Sequence, residues 1–290
     1  MNIALIAVPY DSGTRGWRSG AGPEHLLRAG LVERLRDRGH EVVTETITDN
    51  PDQPPAEVRT AFELMRRLAR RVRAARDGGR FPLVLAGNCN TACGTLSGLT
   101  PRRRSVFWFD AHGDLNTPSS TGSGFVDGMG LATAMGLGWE QLAAGIPGFE
   151  PVSSDLIALL GVRDLDPPEI ALLGRSGIVR LKRSDLATGL AVFRERSALH
   201  DSLGYVHCDL DVLDPRIGRA NSLPVPGGLS PGDVTAAIAA IGAAVEVGAA
   251  AITCYAPEYD TDGAIARAAL DIADALVVAA GSSSTMAKSV

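Results

Sequence analysis

Six short apolar runs without polar alternation punctuate this chain: NIALIAV (2–8), FPLVLA (81–86), SVFWFD (105–110), DLIALLGV (155–162), YVHCDLDV (205–212) and AAAITCY (249–255). A strand with one solvated face alternates apolar with polar residues, so runs that do not alternate belong to strands covered on both faces. Between them, residues 23–38, 55–77, 128–136, 167–174, 187–199, 231–245 and 262–280 carry apolar residues at helical spacing, several behind a Pro or Asp start signal. Strand then helix, repeated, predicts an α/β fold built on a doubly wound parallel sheet.

At 290 residues and 45% hydrophobic, the chain can bury a sizeable core, and a single domain over residues 1–290 is expected. The stretch 117–124 reads as a loop and the tail SSSTMAKSV (282–290) as frayed. Basic and acidic residues nearly balance, 28 against 33, which leaves no field to attract nucleic acid. No stretch approaches the ~20 apolar residues of a membrane span, and the start MNIALIAVPYD lacks a basic segment before its apolar run; a cytoplasmic protein with no membrane partner is expected. Cys89, Cys93, Cys208 and Cys254 have the spacing of neither a disulfide framework nor a CxxC zinc site. Composition leaves the oligomeric state open.

Ligands bind outside the carboxyl ends of the strands of an open parallel sheet. Two strands end there in acids: Asp110, His112 and Asp114 at alternating positions after one, Asp209 and Asp211 in the same relation on the other. Single Asp residues at strand ends commonly serve as turns or caps, but two such clusters would bury four carboxylates together. Without a cation that costs many kcal/mol. Carboxylates with an imidazole suit first-row divalent ions, and four carboxylates balance two of them.

Around these acids the chain resembles the ureohydrolase family, which includes arginases and agmatinases. DAHGDLN and DLDVLDP are similar to its DAHxDxN and DxDxxDP motifs, and VPYDSGTRGWRSGAGPEHLLRAGL, LAGNCNTACGTLSGL, SGFVDGMGLATAMG and GVRDLDPPE look like four further family segments in the same order. The resemblance implies a three-layer αβα sandwich around a mainly parallel eight-stranded sheet. It also implies two divalent ions, most often Mn2+, which make a shared water nucleophilic toward a guanidine carbon. Carried over by position, one ion takes Asp110, Asp114 and Asp209, and the other takes His112, Asp110, Asp209 and Asp211. Asn116, Ser123 and Asp166 match positions that read the α-carboxylate and α-amino groups of an amino-acid substrate, though each type also favours turns and caps.

Three positions depart from that pattern. Cys89 stands on a metal-binding His, with Asn88 on the neighbouring Asp; a thiolate is a competent, softer ligand, and a buried Cys without an ion is the plainer alternative. Asp127 stands where the family keeps a proton-transferring His, which makes it, with Asp114, a candidate catalytic residue. Cys254 occupies the place of a guanidinium-binding Glu and is counted with the substrate contacts. These changes resemble the branch that hydrolyses Nω-hydroxy-L-arginine to ornithine and hydroxyurea. The expected function is a metal-dependent hydrolase cleaving a guanidino C–N bond of an arginine-like amino acid. Arginase, agmatinase, guanidinobutyrase and formiminoglutamase activities stay open, as does a non-catalytic binding protein of the same fold. His25 and His40 read as surface or packing residues and His200 as a helix end, while His207, on the side of Asp209, reads as a satisfied strand histidine, with a supporting hydrogen bond to a carboxylate as the alternative. Cys93 and Cys208 read as core, and Arg102–Arg104 as a solvated turn.

Overall fold

The computed structural model describes residues 1–50, 52–54, 56–196 and 199–286. In chain order, β1 (Asn2–Val8) leads through a small hairpin, β2 (Tyr10–Asp11) and β3 (Thr14–Arg15), into α1 (Gly22–Arg28), α2 (Leu31–Asp37) and β4 (Glu41–Thr46). Then come α3 (Glu57–Asp77), β5 (Phe81–Ala86), α4 (Ala92–Gly98), β6 (Arg104–Phe109), α5 (Gly130–Ala134), α6 (Glu140–Ala144) and β7 (Ile157–Leu160). The chain ends with α7 (Pro167–Arg175), β8 (Val179–Leu181), α8 (Leu186–Arg196), β9 (Leu203–Asp209), α9 (Pro231–Ala244), β10 (Glu246–Thr253) and α10 (Ala264–Met286).

Eight of these strands form one sheet in the order β4-β1-β5-β10-β9-β6-β7-β8. Every neighbouring pair in it is parallel. Alternate residues of each central strand feed opposite layers, as the two-residue period of a strand requires. Phe107, Phe109, Val206 and Cys208 pack with α1, α2, α8, α9 and α10 on one face. Val106, Trp108, Tyr205 and Ala251 pack with α3, α4 and α5 on the other. The three-layer sandwich is therefore present, and both faces of the sheet are covered.

The helix predicted over 23–38 is two helices, because Gly30 (φ +91) takes a left-handed conformation that halts the first turn set before α2 begins. The strand predicted over 205–212 stops at Asp209, whose side chain caps a 3-10 turn at Leu210–Val212. Edge strands β4 and β8 escaped the sequence reading, since β4 is half-exposed and lacks a continuous apolar run. Ser282–Met286, assigned to a frayed tail, continues α10, and the last four residues lie outside the described ones. Arg104 is not solvated either: it begins β6 at 5% exposure, with its guanidinium on Glu150. Among the described residues, no helix is long and apolar enough to cross a membrane.

Candidate metal centre

The carboxyl ends of β5, β10, β9 and β6 lie side by side in the sheet. They deliver Asn88 and Cys89, Cys254, Asp209 and Asp110 to one rim, and the loops after β6 and β9 add His112, Asp114 and Asp211. The chain leaving β5 passes so close to the β1–α1 segment that a Cβ at Gly87 would lie 2.2 Å from the Tyr10 carbonyl. Only glycine fits there, and that approach seats Asn88 against Ser12 and Asp11.

Three of the acids are held by donors from their surroundings. Asp110 accepts from the Trp108 indole at 3.0 Å and the His112 amide at 2.7 Å. Asp211 accepts from the Ala111 amide and from Asn221, both at 3.1 Å. Asp209 accepts from the Asp211 amide at 2.8 Å and from the Cys89 thiol at 3.0 Å. The His112 imidazole bridges Asp110 at 3.4 Å and Asp211 at 3.2 Å. Asp110, His112 and Asp211 thus present three ligand atoms within 4.8 Å of one another.

Asp114, in left-handed backbone at φ +51, keeps a buried Oδ2 with no hydrogen-bond partner. Such an orphan costs free energy unless something meets it. Burial, with the charges of its neighbours, pushes the Asp114 and Asp209 carboxyls far above the usual range. Burial and Asp211 push Asp110 up to about 6. Burial opposes ionisation of Asp211 too, but the His112 hydrogen bond and charge hold that carboxyl at about 2. His112 responds in kind: burial works against its charge, yet Asp110 and Asp211 carry it up to about 12. A crowded carboxylate cluster, an orphaned oxygen and an imidazole set between two carboxylates make a donor set that fits divalent cations, whose charge would take the place of the protons held there.

That imbalance has a measurable consequence. Asp110 at about 6 and Asp127 at about 7 are raised from 3.8, so the folded metal-free protein holds protons that the unfolded chain releases. Stability from a raised pKa is present below the unfolded value and is lost as pH climbs through the folded one. The melting temperature of metal-free protein should therefore fall between pH 5 and 7.5, and divalent metal should reverse the fall. A flat metal-free profile across that range would contradict the assignment.

A cavity of about 190 Å³ opens above the acids, and all the sequence-predicted site residues except buried Asp110 line it. Asn116 donates to Asp166 at 2.8 Å, so these two substrate-contact candidates meet. Asp166 also forms the capping box of α7 with Glu169, so it caps a helix and faces the cavity at once. Ser123 lies on an exposed turn at the mouth, accepting from the Phe125 amide at 3.2 Å. Asp127 accepts from the Asn90 amide at 3.1 Å and from Asn88 at 2.8 Å. Burial raises its pKa against those donors.

The sequence reading missed several neighbours. His207 is buried and stacked on Trp108 at 3.6 Å, with Nδ1 on the Tyr205 hydroxyl at 2.9 Å and Nε2 at 3.1 Å from Cys89 Sγ. Burial lowers its pKa to about 3, so it is a neutral partner of Cys89. Arg18 stands at the mouth, at φ +48, reaching Ser222 at 3.2 Å and Asp11 at 3.7 Å. Its contact with Ser222 spans 204 residues, which no local pattern reveals.

Comparison with known proteins is consistent throughout. The family model described as the arginase family matches residues 1–279. An arginase from Brevibacillus brevis is 33% identical over 244 residues, covering 79% of this chain and 82% of its relative. The crystal structure of arginase from Bacillus subtilis superposes with a TM-score of 0.86 at 27% identity, covering 96% of this chain and 98% of that one. The proclavaminate amidino hydrolase of Streptomyces clavuligerus shares the fold at a TM-score of 0.71 and 19% identity, over 97% and 92% of the two chains. With fold, extent and sequence in agreement, the chain belongs to the arginase family of binuclear-metal amidinohydrolases.

Proposed function

We propose that this protein hydrolyses the hydroxyguanidine of Nω-hydroxy-L-arginine, releasing hydroxyurea and ornithine, with Mn2+ among its metal ions. The observation that carries the reading is the cavity wall: His112 is its only imidazole among the described residues, and it is committed to Asp110 and Asp211. Arginine hydrolysis asks the site to bind a strongly basic cation and to protonate a poor leaving amine. Asp127 stands at the family's proton-transfer position, but both its oxygens are already engaged by Asn90 and Asn88. Without a metal ion Cys254 offers no fixed negative charge for a guanidinium: its hydrogen bond with Cys89 works to lower the thiol's pKa, but burial beside Asp127 and Asp209 raises it and keeps the thiol protonated. A less basic, neutral hydroxyguanidine removes the first demand and is more readily attacked, while the same ornithine amine leaves from either substrate.

In this reading Asp110, His112, Asp114, Asp209, Asp211 and Cys89 hold the metal pair. Bound cations supply a nucleophile at neutral pH by lowering the pKa of water. Asn116, Asp166 and Ser123 orient the amino-acid end of the substrate. The test is a screen of guanidino compounds with metal-loaded protein, reading urea, hydroxyurea and amine release. Hydroxyurea with ornithine supports the proposal, and a different amine product replaces the substrate while keeping the family chemistry.

Arg18 completes the amino-acid end. Its guanidinium at the cavity mouth complements an α-carboxylate, with Trp17 and Phe125 beneath it at 5.0 and 5.9 Å. Arg18→Ala should raise KM for the amino acid about tenfold, the scale of one charge-assisted hydrogen bond in a half-exposed setting. The decarboxylated analogue should be unaffected. An equal effect on both would remove Arg18 from carboxylate recognition.

A further inference from the structure

Cys254 has features that a substrate contact does not require. It ends β10 in left-handed backbone at φ +59, a conformation L residues adopt only when surroundings impose it. There its Sγ lies 3.3 Å from Cys89 Sγ and 3.5 Å from Asp127 Oδ2. Ligand atoms of Cys89, Cys254 and Asp127 all fall within 4.8 Å of one another, all three residues are buried, and all three line the cavity. Two sulfurs bound to one tetrahedral zinc ion stand about 3.8 Å apart, and a sulfur–oxygen pair about 3.5 Å apart. The spacing found here needs only a small adjustment to meet both.

The surroundings of Cys89 offer hydrogen-bond donors to a metal-bound sulfur. His207 Nε2 at 3.1 Å and Thr253 Oγ1 at 3.3 Å approach Cys89 Sγ from the side of the sheet. When the Tyr205 hydroxyl donates to His207 Nδ1, Nε2 carries the proton and donates to that sulfur, the kind of outer partner that orients and tunes a metal ligand. Of the two other donor groups, Cys89–Asp110–His207 shares the one Cys89 sulfur, and Asp110, His112 and Asp211 contain none. Soft ligands select thiophilic ions and oxygen-rich sets select harder ones.

We propose that Cys254 is a second thiolate ligand of the ion held by Cys89, so that this position takes a thiophilic cation such as Zn2+ while the Asp110–His112–Asp211 set takes a harder one. The inference rests on the metal-centre reading above and does not depend on the hydroxyguanidine substrate. Binding converts two thiols to thiolates and releases their two protons to solvent. It also commits Asp127 to the ion, which withdraws that carboxyl from proton transfer.

Cobalt provides a readout independent of turnover. Metal-free protein loaded with Co2+ should show sulfur-to-cobalt charge-transfer absorption, reduced by about half in Cys254→Ser and abolished when Cys89→Ser is added. Cys93→Ser should leave it unchanged. Offered equal Zn2+ and Mn2+, the wild type should retain both, and Cys254→Ser should lose zinc preference by about tenfold. Full charge-transfer intensity with unaltered zinc selection in Cys254→Ser would overturn the proposal. Should that variant misfold, alkylation of the wild type decides: Zn2+ should slow iodoacetamide modification of Cys254 at least about tenfold, and equal rates with and without zinc reject the ligand. If Cys254 fails while hydroxyurea is still produced, the ligand falls and the proposed function stands. If zinc is bound through both thiols but no hydroxyarginine is hydrolysed, the reverse holds.

Discussion

Asp110→Ala and Asp209→Ala should each lose both metal ions and lower kcat/KM by at least about 10³-fold, because several kcal/mol of transition-state stabilisation depend on the metal pair. The two carboxylates lie at the centre of the cluster. Asp209 is pushed up by Asp211 and Asp110 together, and Asp110 by Asp211, so each feels both halves of the donor set. His112→Ala should empty mainly one position, since the His112 imidazole bridges Asp110 and Asp211. Metal content per chain, measured beside turnover, separates these outcomes. The same crowding produces an opposite effect on stability. Replacing Asp209 relieves repulsion in the metal-free state, so metal-free Asp209→Asn should melt no lower than metal-free wild type at neutral pH, although it binds metal poorly. An Asp110 variant with two metals and normal turnover would remove the central assignment.

With equal metal loading, kcat/KM for Nω-hydroxy-L-arginine should exceed that for L-arginine by at least about 10²-fold, roughly 3 kcal/mol, because arginine's guanidinium is effectively always protonated and must be attacked as a cation. An N-hydroxy substituent lowers the basicity of the guanidine, so a neutral form is available at physiological pH. Among the described residues the cavity's one imidazole is held by two carboxylates, and Asp127 is engaged by Asn88 and Asn90, so neither is placed to neutralise a strongly basic guanidinium. Agmatine should be disfavoured as well, because it lacks the carboxylate that the proposed function assigns to Arg18, Asn116 and Ser123 at the cavity. Equal or faster turnover of L-arginine or agmatine would sink the hydroxyguanidine assignment and leave the fold and the metal centre untouched.

Much of this site was legible before any coordinates. Asp110, His112, Asp114, Asp209 and Asp211 stand in short runs at the ends of apolar strands, and a parallel sheet brings such ends to one rim. Cys89 and Cys254 were visible as departures at family positions, but their contact was not, because 165 residues separate them. His207 was set aside as an ordinary strand histidine. Its neighbours Trp108 and Tyr205 do satisfy it, yet the same packing turns Nε2 onto Cys89, and only the β9–β6 register shows that.

The sequence by itself determined the fold class, since unbroken apolar runs can be stabilised only by burial on both sheet faces, and it determined which acids end the strands. The tertiary structure alone decided the charge state and the company of those acids. Strand order β5-β10-β9-β6 sets Cys89, Cys254, Asp209 and Asp110 on adjacent strands, although they are scattered along the chain. Burial then removes the water that would otherwise screen them. A pKa, an orphaned oxygen and a thiol pair are properties of that enclosed geometry. Local spacing encodes a strand end; the desolvated arrangement around it is fixed by long-range packing.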